Sequence, residues 1–316
     1  MTAGWVAAST RGRSLLHRTI GPDAARALAT TDSWQHARSQ LATTAYGASL
    51  TADADRRTAR AVSSAATIWQ LRVLSGWLPP TSTGLARAFA APVEIAQIEH
   101  HLARLDRPGD IRAGVATPVP LGSLGTAMPR AARATTSDQV RDVLARSAWG
   151  DPGGNDRVTI GLGLRVAWGR RLLRQAPAAT EWVLGAAAVL IARERFVFDR
   201  DIPEIPARGL DQLLGTRWHS ASSCAELADH VPKSASWSLL AVTESSDPPS
   251  DLWRSELAVI RRVSTDATKI VDSGRNGRGT VTAVMALLLV DLWRVTAAIE
   301  SAGRAHIATE AFDEVA

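Results

Sequence analysis

Apolar residues recur along this chain at helical steps. Between Asp53 and Trp77, the residues Val62, Ala65, Ala66, Trp69 and Val73 fall on one face at three- and four-residue intervals. Between Asp251 and Val271, Trp253, Leu257, Ile260, Val263, Ala267 and Ile270 do the same. That period belongs to an amphipathic helix whose apolar stripe seeks a core. The two-residue alternation of strands is nearly absent, and β-branched and aromatic runs are rare. Pro79–Pro80, Asp106–Gly109, Asp151–Asn155, Asp247–Pro249 and Asp272–Gly279 break the pattern with Pro, Gly, Asp and Asn. The pattern predicts an all-α chain with long helices over 53–77, 81–105, 156–175, 179–197, 250–272 and 280–303, taken in pairs as hairpins, and a short tail opening at Gly303.

A short segment repeats ahead of these hairpins. Gln35–Gly47 reads QHARSQLATTAYG and Asp138–Gly150 reads DQVRDVLARSAWG, so that Leu41, Tyr46 and Gly47 match Leu144, Trp149 and Gly150 at an offset of 103 residues. A fainter third copy, Glu226–Ser238, places Trp237 a further 88 residues on. Self-similarity at long intervals, here 103 and 88 residues, indicates repeated structural units. We expect three pseudo-repeated three-helix bundles over 1–106, 107–214 and 215–316, each a short helix with an aromatic end followed by a long hairpin. A helix that stops at a left-handed Gly and packs its aromatic into the bundle accounts for the motif.

Two segments are apolar enough to raise the question of a membrane span. Trp182–Ala192 is shorter than the ~20 residues a span needs. Val281–Ile299 is long enough, but Asp291 and Arg294 lie inside it, each costing about 2.5–3.5 kcal/mol at a bilayer centre. Both read as core helices of a soluble protein. The N-terminal residues carry Arg11, Arg13 and Arg18 without the apolar block of a secretory signal.

Charge is uneven. The net charge of +5 divides into 17 Arg against 10 acids in residues 1–150 and 19 Lys+Arg against 21 acids thereafter, and no acid precedes Asp23. A basic first half suits an acidic partner surface, anionic lipid or nucleic acid. The one cysteine, Cys224, excludes an internal disulfide.

Motifs that would carry chemistry are incomplete. Gly274–Thr280, GRNGRGT, has glycine spacing like a phosphate loop but no Lys after Gly279 and no strand before it. His100 and His101 are adjacent and point about 100° apart on a helix, unlike an i, i+4 metal pair. No acidic cluster of the DDxxD type and no nucleophile elbow occurs. We expect a non-catalytic chain with no cofactor, no metal and no nucleotide site. Glu94, in EIAQIEHHLARL, and Asp291, in DLWRVTAAIESA, each place an acid ahead of an apolar stripe, and pairing with an Arg of a neighbouring helix is their simplest role.

Taken together, these residues resemble the C-subunit family of V-type (V/A-type) rotary ATPases, whose eukaryotic relative is the d-subunit. Ala7–Leu16, AASTRGRSLL, is similar to the family's basic first helix, with Arg11 and Arg13 matching. Leu41–Gly47, LATTAYG, matches the family's LxxTxYG. Glu94–Gln97 is similar to its acid-x-x-amide helix, with Gln where Asn is frequent, and Leu287–Ile299 to its closing helix, where Arg294 rather than an amide follows Asp291. The resemblance implies a funnel-like body of three helical bundles on the cytoplasmic face of the membrane. It implies an adaptor that couples the central stalk to the proteolipid rotor ring during proton or sodium transport. It also implies that Arg11, Arg13, Arg18, Glu94, Gln97 and Asp291 lie toward partners. The alternative is a helical nucleic-acid-binding or scaffold protein using its Arg-rich half. A helix-turn-helix would show a short hairpin with an Arg-rich exposed second helix, whereas here the Arg are scattered and the hairpins long.

Overall fold

The helices begin where short polar side chains cap them. Ser33, Asp55, Thr136, Asp156 and Ser223 have extended backbone, and each accepts the amide three residues on, from His36, Thr58, Gln139, Thr159 and Glu226. Each bond satisfies one of the four amides that a helix start leaves unpaired. The computed structural model describes residues 3–107 and 118–304, apart from Glu244 and Ser246. The expected break at Asp106–Gly109 and the tail beyond Gly303 run partly outside these residues.

Fifteen α-helices follow in order among the described residues. They are α1 (Ala3–Leu16), α2 (Gly21–Ala29), α3 (Trp34–Ala42), α4 (Arg56–Ser75), α5 (Thr83–Asp106), α6 (Met128–Ala131), α7 (Ser137–Ala145), α8 (Arg157–Gln175), α9 (Thr180–Ala192), α10 (Glu204–Leu214), α11 (Cys224–His230), α12 (Lys233–Ser236), α13 (Leu240–Thr243), α14 (Pro248–Asp272) and α15 (Arg278–Ser301). The last turn of α9 widens into π geometry over Arg193–Val197. No strand occurs among the described residues, and the protein is all-α. The six long helices lie within a few residues of their expected bounds.

Contacts divide the chain into two compact units. Unit 1 comprises Met1–Val93, Ile111–Gly125 and Val263–Ala316; unit 2 comprises Glu94–Asp110 and Thr126–Arg262. Each is organised around one of the two apolar segments that raised the membrane question. In unit 1, α15 packs on α1, α2 and α4. It is long and apolar enough to cross a membrane, but 72% of its most apolar window is buried inside the protein. In unit 2, α9 packs on α8, α10, α11 and α12, and every residue from Trp182 to Ala192 except Ala186 is buried. A helix apolar all round belongs in the middle of a core. Arg56 ends α15 by donating to the carbonyls of Ile299 and Ala302, cations being favourable at a helix C-terminus.

The face of α4 read from the sequence is not its buried face. Ala59, Ser63, Thr67, Ile68, Gln70, Leu71 and Leu74 point inward, while Trp69 is 46% exposed. The hydroxyls of Ser63 and Thr67 can be buried because each bonds a backbone carbonyl, of Tyr46 and Ser63 respectively.

Candidate functional site

The two carboxylates singled out from the sequence are both buried, and both bind backbone. Glu94 is 1% exposed. Its Oε1 accepts the amides of Thr126, Ala127 and Met128 at 2.7, 2.6 and 2.8 Å, at the start of α6. Asp291 is 2% exposed. Its two oxygens accept the amides of Ile20 and Gly21 at 3.0 and 2.9 Å, at the start of α2. In each case an acid on a long closing helix supplies the negative charge that a helix N-terminus attracts. Arg294, one turn after Asp291, donates to Ser264 Oγ at 3.2 Å. Burial lowers its proton affinity, against the pull of the Asp291 charge. The side-chain nitrogen of Gln97 is buried without an acceptor.

The repeated aromatic motif forms the same turn twice. Thr44 Oγ1 donates to the Leu41 carbonyl at 2.8 Å and accepts the Tyr46 amide at 3.2 Å. Ser147 Oγ donates to the Leu144 carbonyl at 2.7 Å and accepts the Trp149 amide at 3.1 Å. Leu41, Leu144, Tyr46 and Trp149 are buried. The aromatics lie four residues past the ends of α3 and α7, in this turn, and not at the helix end itself. The glycines that follow have different reasons. Gly150 has φ +80°, but it lies five residues beyond α7, whose C-cap is Arg146, so it shapes the turn and does not stop the helix as expected. Gly47 has no positive φ; a Cβ there would lie 2.3 Å from the Leu41 carbonyl oxygen. The third copy departs from this turn, since Ala235 stands where the hydroxyl would be. Trp237 instead donates its indole N–H to the Ser234 carbonyl and packs on Gly185 of α9.

Around Tyr46 the environment is strongly polarised. Burial first, then the Asp291 charge and its hydrogen-bonding pull, raise the phenol far above its ordinary range, with Thr67 opposing. The hydroxyl nevertheless makes no hydrogen bond of full geometry. In unit 2 the Trp149 ring carries the Arg171 guanidinium 4.6 Å from its centroid, and Arg171 also donates to Thr126 Oγ1, beside the amides held by Glu94.

The three N-terminal arginines are placed unequally. Arg13 Nη1 donates to Asn276 Oδ1 at 2.8 Å and Nη2 to the Arg275 carbonyl. Ser9 Oγ accepts the Gly277 amide at 2.9 Å. The glycine-rich segment Gly274–Thr280 is thus a connection clamped from α1. Arg11 is half-buried with its Nε enclosed. Arg18 is exposed and lies 5.4 Å from the Trp69 ring centroid.

A cleft of about 370 Å³ in unit 2 was not anticipated from the sequence. Asp156, Thr159, Leu162, Glu194, Arg200 and Asp201 line it. Asp156 is occupied in capping α8: burial raises its pKa, but hydrogen bonds from the Thr159 hydroxyl and from backbone amides outweigh that and hold it below the usual carboxylate range. Glu194 is buried and paired with Arg193 and Arg200. No cluster of three potential metal ligands occurs among the described residues. His101 Nε2 lies 3.0 Å from the Ala134 carbonyl, and burial raises the Cys224 thiol pKa. No protein-family model matches the chain, and no curated protein matches it.

Proposed function

We infer that this chain is a non-catalytic adaptor of the C-subunit type in a V/A-type rotary ATPase, joining the central stalk to the proteolipid ring at the cytoplasmic face of the membrane. In this reading the body is three bundles arranged as a funnel, and the protein carries torque while binding no nucleotide. The observation that carries the reading is the shared construction around Glu94 and Asp291. A buried acid on α5 and another on α15 each hold the start of a helix, α6 and α2 respectively, that lies one helix before a Leu–Tyr/Trp–Gly turn. Glu94 and α6 belong to unit 2, and Asp291 and α2 to unit 1, so the same device recurs once in each unit.

Two further features support the reading. The resemblance at Ala7–Leu16, Leu41–Gly47, Glu94–Gln97 and Leu287–Ile299 is collinear over most of the chain. The charged groups that sequence reading placed toward partners divide into structural ones, Glu94, Asp291 and Arg13, a half-buried one, Arg11, and an exposed one, Arg18. The partner surface in this reading therefore lies on exposed residues and not on the buried acids. The test is affinity purification of the tagged chain from its native cells in mild detergent. Ring proteolipid and shaft proteins are the expected companions. Recovery of the chain without either overturns the assignment.

A further inference from the structure

The side of unit 1 made by α1 and α4 combines three properties that no other function of the chain accounts for. First, it exposes large apolar groups. Trp69 is 46% exposed, Trp77 51% and Val6 37%. Trp69 and half-buried Val73 follow one another at a four-residue step along α4, and Trp77 comes four residues later in the turn after it. Gly4 of α1 approaches the Pro79 ring, and Arg18 beyond its other end covers Trp69, which sets α1 alongside α4. Secondly, the inward face of α4 is the one bearing Ser63, Thr67 and Gln70. The tryptophans have been kept outside while polar side chains were taken in.

Thirdly, the charge around the tryptophans is basic. Residues 1–22 contain three Arg and 56–93 five, with no Asp or Glu between Asp55 and Glu94 or before Asp23. Part of this charge is used internally: Arg13 clamps the 274–280 connection, Arg56 ends α15 and Arg60 pairs with Glu300. Arg18 and Arg72, flanking the tryptophan stripe, are exposed. Tryptophan beside arginine, on a helix whose other face is anchored in a core, is the chemistry of a membrane interface. The indole sits at headgroup depth with its N–H wet, and the guanidinium meets lipid phosphate.

We propose that the α1–α4 face docks on an anionic phospholipid surface, with Trp69 and Trp77 entering the interface and Arg18 and Arg72 meeting the headgroups. An acidic protein would also match the charge, but it would need to supply pockets for two half-exposed indoles, one on α4 and one in the turn after it. A bilayer interface admits them without any matching shape. The proposal does not depend on the rotary reading, and its test contains no rotor protein.

The test is sedimentation of the purified full-length chain with phosphatidylcholine vesicles, either pure or carrying roughly a third phosphatidylglycerol. Wild type should pellet with the anionic vesicles and remain in solution with the neutral ones, and salt should release it. The double variant Trp69→Ser/Trp77→Ser changes only exposed side chains and should keep its circular dichroism spectrum. Its partitioning onto anionic vesicles should fall at least about tenfold, as expected when two half-exposed indoles stop burying apolar area. Arg18→Gln/Arg72→Gln should weaken binding and flatten its salt dependence. Wild type left in solution with anionic vesicles overturns the proposal. So does a folded tryptophan double variant that binds as wild type does. Binding to polyglutamate without binding to vesicles overturns it in favour of an acidic protein partner.

Discussion

Replacing Glu94 separates a hydrogen-bonded cap from a merely space-filling side chain. One carboxylate oxygen receives three consecutive amides at the start of α6, and the Ala127 bond is fully buried. In Glu94→Ala that amide loses its partner, at about 1–3 kcal/mol. The other two amides are partly buried and regain some water, and the removed side chain leaves a cavity. Such contributions do not add fully, so the expected loss is about 3–5 kcal/mol. Glu94→Gln keeps the shape and a neutral acceptor, and forfeits only charge assistance and the interaction with the helix dipole, about 1–2 kcal/mol. For a unit of this size each kcal/mol corresponds to roughly 2–4 °C in Tm, so the alanine variant should melt about 6–20 °C lower. Urea unfolding followed by circular dichroism gives the free energies. Hydrogen exchange of a peptide spanning 126–131 locates them, because its amides should exchange faster in Glu94→Ala than in Glu94→Gln. A loss below about 1 kcal/mol in the alanine variant would refute the reasoning. Equal losses in both variants would also refute it, since the side chain would then matter for shape alone.

Two other predictions concern the turns and the caps. Gly47→Ala should destabilise by at least about 2 kcal/mol, because a Cβ would sit 2.3 Å from a backbone oxygen that cannot swing away. Gly150→Ala has open space and only a left-handed backbone to bear, about 1 kcal/mol; thermal melts of the two should therefore differ, and a reversed order would contradict the geometry. Asp55 and Asp156 have carboxyls held below the usual range. For Asp55 the hydrogen bonds from the Thr58 amide and hydroxyl come first, and for Asp156 the Thr159 hydroxyl and amide bonds overcome burial. A depressed folded pKa gives stability that is present above the unfolded pKa and lost as pH falls through the folded one. Asp55→Asn/Asp156→Asn should hence be nearly as stable as wild type at pH 7, since Asn also caps. It should lose less than wild type as pH falls below the ordinary Asp pKa of about 3.9, as measured by urea midpoints.

Much of the fold was legible because long helices announce themselves twice, through their period and through their breaks. The hairpins at 53–77 with 81–105, and at 156–175 with 179–197, match α4, α5, α8 and α9 closely for that reason. The orientation of α4 was not legible. Periodicity marks an apolar face, but it cannot say that Ser63 and Thr67 will satisfy their hydroxyls on backbone carbonyls and be buried in its place. Glu94 and Asp291 stood out as acids in apolar helices, yet the amides they hold lie 32–34 and 270–271 residues away. No local pattern records such a partner. The two glycines of the repeated motif look alike in sequence and differ in cause, because a steric clash with Leu41 depends on the path of the turn and not on the neighbouring letters.

Unit 2 is built almost wholly from residues 94–262, whereas unit 1 needs both flanks of that stretch, with Asp291 on α15 fastening the start of α2 across 270 residues of chain. This imposes an order on synthesis. Chain elongation is slow beside helix formation and collapse, so unit 2 can be complete on the ribosome while α1, α2 and α4 still lack their central helix. The tryptophans and arginines of the N-terminal region then spend that interval attached to an unfinished core. Once α15 emerges, it arrives at a long sequence separation, but doubling a loop adds only about 0.6 kcal/mol to its closure. The late-arriving helix therefore acts as the closing bolt of a discontinuous domain, and premature termination between α14 and α15 should leave unit 2 native and the amino-terminal helices without a fold.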